Sequence, residues 1–200
     1  MKRIIAATQN KHKIEEIDEM TRAFGFEIVS RDDAGVGDLE VVEDGETFEE
    51  NSFKKANEIM KVTGEITIAD DSGLEVDYLD GAPGVYSARF AGEDATDQDN
   101  NEKLITLLKD VPYDKRTARY VCVITLVIPN GKTLVARGEV EGHIVLEASG
   151  ENGFGYDPYF VPEGYDKTFG NFTMDEKNAI SHRGKALEIL RDLMEKENIR

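Results

Sequence analysis

Apolar residues recur along this chain with two different periods, and the places where one period gives way to the other mark its elements. The first is a short strand, Arg3 to Ala7, followed by a polar turn and a helix from about Asn10 to Phe24, with Ile14, Ile17, Thr21 and Phe24 on one stripe. A strand at Phe26 to Ser30 leads into an acidic connector, Asp32 to Gly45. Thr47 opens a second helix with Glu50 three residues on, a capping box, and Phe48, Ser52, Ala56, Ile59 and Met60 trace its apolar face as far as Gly64. Ile66 to Ala69 reads as a strand, ended by the sequence Asp70-Asp71-Ser72-Gly73, where Gly73 suits a tight turn. Asp94 to Lys109 carries Leu104, Ile105, Leu107 and Leu108 and predicts a further helix. From Ala118 the period shortens. A β-branched run to Ile128, the turn Pro129-Asn130-Gly131-Lys132, and Thr133 to Ala136 predict a hairpin, and Ile144 to Leu146 extends it into an antiparallel meander. A second capping box, Thr173 to Glu176, opens a C-terminal helical region with Ile180, Leu187, Leu190 and Met194 at helical spacing. The expected class is α/β, a long mixed sheet with helices on its faces, in which a ligand site falls where strand ends meet helix starts.

Composition changes this picture mainly by exclusion. Two hundred residues that are 40% hydrophobic suit one domain, or two small lobes, with a packed core. No repeat or linker divides residues 1–200. The formal charge of −17 repels a nucleic-acid backbone or an anionic membrane over most of the surface, so neither nucleic-acid polymer nor membrane is an expected partner. The single cysteine, Cys122, lies in an apolar strand and reads as a small core residue. No segment approaches the ~18 apolar residues of a membrane span, and the start MKRIIAATQN is too short for a signal peptide, which leaves the cytoplasm as the expected compartment.

Four groups of residues could carry chemistry. Thr8, Gln9, Asn10, Lys11, His12 and Lys13 surround the start of the first helix, where free N–H groups and lysines suit a phosphate; a capped helix with solvated lysines would look the same. Asp70 and Asp71 at a strand end offer the hard oxygens that magnesium prefers, with Ser72 beside them and Glu43, or its near rival Glu40, as a second ligand from the connector; solvated aspartates in a turn are the plain alternative. Phe154, Gly155, Tyr156 and Asp157 combine a ring that can stack on a base with a carboxylate that can accept from its edge, though such aromatics also fill core under loops. Lys177, His182 and Arg183 cluster donors in an otherwise acidic protein, as a binding site for a small anion or as a solvated basic helix face.

Taken together these segments resemble one family, the inosine/xanthosine triphosphate pyrophosphatases that hydrolyse non-standard purine nucleoside triphosphates. TQNKHK (8–13), ETFEENSFKKA (46–56), ADDSGLEVDYLDGAPGVYSARFAGEDATDQ (69–98), GFGYDP (153–158) and EKNAISHRGKA (176–186) stand in the family's order across nearly the whole chain. Gln9 departs from the pattern, standing where bacterial relatives often have glycine. The resemblance implies two lobes around a central cleft, a homodimer, magnesium, and a purine nucleoside triphosphate as substrate. It also implies roles: residues 8–13 and Ser72 hold the triphosphate, Lys55 reaches a phosphate, and Asp71 is the catalytic carboxylate and a metal ligand with Glu43. Phe154, Gly155, Tyr156, Asp157, Lys177, His182 and Arg183 bind the nucleotide. The related Maf-type pyrophosphatases, which act on pyrimidine or modified nucleotides, fit less well because GFGYDP and SHRGKA belong to the purine family. A non-catalytic nucleotide sensor would have less use for Asp71 and the acidic connector.

Overall fold

A computed structural model describes residues 2–22, 24–129 and 131–199, without the side chains of His12, Glu16, Glu19 and Met20. Six strands form one sheet in the order β2-β1-β3-β4-β5-β6, namely β1 (Lys2–Ala6), β2 (Phe26–Ser30), β3 (Thr67–Val76), β4 (Thr117–Ile128), β5 (Lys132–Ile144) and β6 (Phe160–Pro162). β1 runs parallel to both β2 and β3, and β5 is antiparallel to β6, so the sheet is mixed. The helices are α1 (Lys11–Arg22), α2 (Phe48–Thr63), α3 (Asp97–Leu108), α4 (Met174–Asn178) and α5 (His182–Lys196).

The chain divides into two compact units, the first made of Met1–Asp71, Cys122–Arg137 and Ala186–Arg200, the second of Ser72–Val121 and Gly138–Lys185. In the first, strand residues alternate between two cores. Ile4, Ala6, Ile68, Cys122 and Ile124 meet Ile17 of α1 and Leu187, Leu190 and Met194 of α5. Their neighbours Ile5, Ala7, Ala69 and Val127 meet Ala56 and Ile59 of α2. The period of two thus buries both faces of these strands, as expected where helices cover a sheet on each side. A buried hydroxyl pair, Ser52 to Thr125 at 2.7 Å, joins α2 to β4 on its own face. The second unit centres on Leu74, Val76, Leu104, Leu108, Tyr120, Phe160 and Phe169.

Two sequence expectations fail here. β3 does not end at Ala69: it continues through Asp70-Asp71-Ser72-Gly73 to Val76, and no turn interrupts it. Among the described residues β1 pairs with the start of β3 only, at Thr67 and Ile68; further along, Leu74 N–H donates to Ser87 Oγ and Val76 N–H to the Ala82 carbonyl, and the two aspartates find lysine partners, so these groups are partnered without a turn. The third strand of the meander is not Ile144 to Leu146. β5 runs on to Ile144, and Phe160–Pro162 pairs with it instead, Ile144 opposite Phe160, because Phe160 brings a fully buried ring to the second core. The hairpin turn residue Asn130 lies outside the described residues.

Candidate functional site

The continuous strand explains the paired aspartates. Successive side chains of a strand point to opposite faces. Asp70 therefore shares the face of Ile68 with α1, and its Oδ2 lies 2.8 Å from Lys13 Nζ. Asp71 shares the face of Ala69 with α2, and its Oδ1 lies 3.5 Å from Lys55 Nζ. Each carboxylate takes a lysine from a different helix, and both are buried, Asp70 at 2% and Asp71 at 8% exposure.

Lys55 also holds Glu43 Oε2 at 3.0 Å, so its ammonium bridges the connector and the strand. Glu40, by contrast, is exposed. The connector is fastened to α2 at several points: Gly45 N–H donates to Asn51 Oδ1 at 2.8 Å, Glu46 N–H to Glu50 at 2.7 Å, and Lys54 pairs with Asp44 at 2.5 Å. Further back, the Arg31 guanidinium donates to the carbonyls of Gly37 at 3.2 Å and of Leu39. Gln9 Nε2 reaches the Gly37 carbonyl at 3.3 Å, so the residue that departs from the family pattern ties the loop before α1 to the connector. In that loop Thr8 Oγ1 accepts from Asn10 N–H at 3.1 Å, and Asn10 Oδ1 accepts from Lys13 N–H at 3.4 Å. Lys11 is exposed, and the His12 side chain lies outside the described residues.

Burial raises the Asp71 carboxyl above the usual carboxylate value; the Lys55 charge opposes this, and Glu43 adds to it. Burial works against charge on Lys55, but Asp71, Asp70 and Glu43 outweigh it, and the ammonium is held above its ordinary value. Asn51 favours the charged form of Asp71, yet Asn51 Nδ2 and Asp71 Oδ2 are both buried without a completed hydrogen bond among the described residues. Such unsatisfied atoms are costly unless something further binds. Asp71, with its unsatisfied oxygen, and Glu43, on the same lysine, are hard oxygen donors of the kind a divalent cation prefers. Among the described residues no group of three or more His, Cys, Asp or Glu side chains could hold a metal ion.

The second unit holds the other group. Asp157, 1% exposed, accepts from Lys177 Nζ at 2.6 Å and from Phe154 N–H at 2.9 Å, both on Oδ2. Lys177 Nζ also lies 4.7 Å from the Phe154 ring centre, and that ring is half exposed, free to stack on a flat ligand. Gly153 is obligatory, since its φ is +80° and a Cβ there would lie 2.1 Å from Asp157 Oδ2. The Tyr156 hydroxyl donates to the Ser87 carbonyl at 2.7 Å. His182 stacks on Tyr120, centroids 4.8 Å apart, and burial, with Asp157 beside it, holds the Tyr120 phenol well above its usual value and therefore neutral. Arg183, also buried, donates to Ser72 Oγ at 3.5 Å. The chain passes from one group to the other at the Asp71–Ser72 peptide bond.

The family model for the Ham1 family matches residues 4–193. This chain belongs to the Ham1 family. Among its relatives, the dITP/XTP pyrophosphatase of Clostridium perfringens (strain 13 / Type A) is 57% identical over 199 residues, covering 96% of this chain and 97% of that one. The dITP/XTP pyrophosphatase of Desulforamulus reducens is 53% identical, covering 93% and 92%. The solved structure of the Staphylococcus aureus Ham1 protein superposes with a TM-score of 0.91 at 40% identity, over 98% of this chain and 100% of that one. Within the Ham1 fold, sequence reasoning missed Asn51, although it lies one helical turn before Lys55 and so on the same face. It also missed Arg31 and Tyr120, whose roles depend on contacts across the fold and leave no local signal.

Proposed function

We propose that this chain hydrolyses non-standard purine nucleoside triphosphates such as dITP, ITP and XTP in the cytoplasmic nucleotide pool, as a homodimer, to the nucleoside monophosphate and pyrophosphate. Membership of the Ham1 family supports the reaction class. The observation that carries the chemistry is Asp71, a buried carboxylate with an unsatisfied oxygen, facing Lys55 and Glu43.

In this reading Thr8 to Lys13, Lys55 and Ser72 donate to the triphosphate. Asp70 acts on Lys13, holding the ammonium where a phosphate can share it. Asp71 and Glu43 would hold magnesium, which when bound would neutralise phosphate charge. Asp71 orients the attacking water with proton acceptance as its second role. Water adds at the α-phosphorus, the α–β anhydride bond breaks, and pyrophosphate leaves with the bonding electrons. Positioning and charge neutralisation supply most of the acceleration in such transfers. Phe154 stacks on the base, while His182 and Arg183 present donors to the 6-keto edge of hypoxanthine or xanthine. Adenine carries an amino donor there and would leave buried donors unpaired, and sites built this way discriminate by roughly 10⁴.

The test is release of pyrophosphate and orthophosphate from deoxyinosine, xanthosine, adenosine, guanosine and thymidine triphosphates, with magnesium and with chelator. Magnesium-dependent pyrophosphate from the first two, far above the rest, is expected. Intact substrates would favour a nucleotide sensor, and orthophosphate would favour another phosphohydrolase.

A further inference from the structure

The loop Phe154–Asp157 is tied from within by Asp157, but its outward peptide groups need another support. Gly155 has φ +60°, in the left-handed region, and both of its backbone polar groups point to α3. Its N–H donates to Asp97 Oδ2 at 2.7 Å, and its carbonyl accepts from Asn101 Nδ2 at 2.8 Å. Asp97 and Asn101 are four residues apart, so one face of the first turns of α3 presents an acceptor and a donor to the two sides of a single residue.

The same turns hold the neighbouring segment. Asn100 accepts from Ala91 N–H at 2.8 Å and donates to the Ala88 carbonyl at 3.0 Å. That segment carries Ser87, whose carbonyl receives the Tyr156 hydroxyl and whose Oγ receives Leu74 N–H of β3 at 2.9 Å. α3 is itself fixed, by the Thr96–Asp99 capping box at its start and by the buried Leu104 and Leu108 beyond. Asn101 is buried, and its Oδ1 has no partner among the described residues, a cost in stability that stands beside the one bond its amide makes to Gly155.

We propose that Asp97 and Asn101 are positioning residues for purine recognition: by gripping the Gly155 peptide groups they set the placement of Phe154 and Asp157, and through it the choice of base. The inference rests on the proposed function, and it assigns these two residues to the base end of the substrate and not to the triphosphate end.

The experiment compares wild type with Asp97→Ala, Asn101→Ala and the conservative Asp97→Asn, which retains an acceptor oxygen. Pyrophosphate release from dITP and dATP gives kcat and KM, and inhibition by inorganic tripolyphosphate, which has no base, reports the phosphate end alone. Loss of one hydrogen bond in either alanine variant is expected to raise KM for dITP about fivefold to tenfold. The dITP preference over dATP should fall, with kcat within about twofold and tripolyphosphate inhibition unchanged, while Asp97→Asn stays near wild type. A parallel loss of tripolyphosphate inhibition, or an unchanged KM in variants that remain folded, overturns the assignment. Amide hydrogen exchange across residues 153–157 tests the grip without any substrate: exchange there accelerates in Asp97→Ala, and an unchanged rate overturns the inference even if wild type proves inactive on dITP. Inactive wild type with accelerated exchange in the variant would instead remove the substrate reading and keep the grip.

Discussion

Asp71 carries a charge that its surroundings disfavour, and this makes its substitution informative in two ways. Removing the carboxylate in Asp71→Asn is expected to cut pyrophosphate release about 100-fold or more while the fold survives, as read by steady-state assay beside circular dichroism. Stability should move the other way. A carboxyl raised in the folded state contributes stability when protonated, below its unfolded value, and loses that contribution as pH rises through the folded value. In chelator at neutral pH, Asp71→Asn should therefore melt at or above the wild-type temperature, with the gain vanishing as the pH is lowered until wild-type Asp71 protonates too. Added magnesium should raise the wild-type melting temperature and leave the variant nearly unmoved; an equal rise in both would remove Asp71 from the metal site. Asp157 and Lys177 pose the opposite case, a buried pair with good geometry. Lys177→Met strands the Asp157 charge and should cost about 3–5 kcal/mol, a drop of roughly 10 °C in thermal melting.

At the scale of elements, α3 is the piece whose importance exceeds its motif. Thr96 accepts from Asp99 N–H and Asp99 returns the bond to Thr96, so Thr96→Ala should cost about 1 kcal/mol by denaturant titration. The elements most legible in the sequence were those with local signals. The capping box at Thr173, the stripe of α2 and the left-handed Gly64 after it stand where the pattern put them, and Thr47 caps α2 by accepting from Glu50 N–H, although the Glu50 carboxylate turns to Glu46 N–H and so leaves that box half made. β3 was misread because paired aspartates and a glycine are turn residues by propensity, and only the lysines of α1 and α2, distant in sequence, make a strand the better conformation. β6 was missed because three residues carry no periodicity.

For the whole molecule, the charge of −17 leads to the expectation that duplex DNA and transfer RNA are not retained in gel-shift assays even at low salt, where cationic contacts would be strongest. Binding there would show a basic surface that the total conceals. The sequence by itself determined the class of the fold and the family, because periodicity, caps and ordered motifs are local and survive without the tertiary structure. What only the tertiary structure decided is the pairing: Asp70 with Lys13, Asp71 with Lys55 and Glu43, Gly155 with Asp97 and Asn101. Those choices depend on which face of a strand each residue occupies and which helix covers that face. A one-residue slip in the register of β3 would exchange the two aspartates between faces, and nothing in the local sequence distinguishes the alternatives.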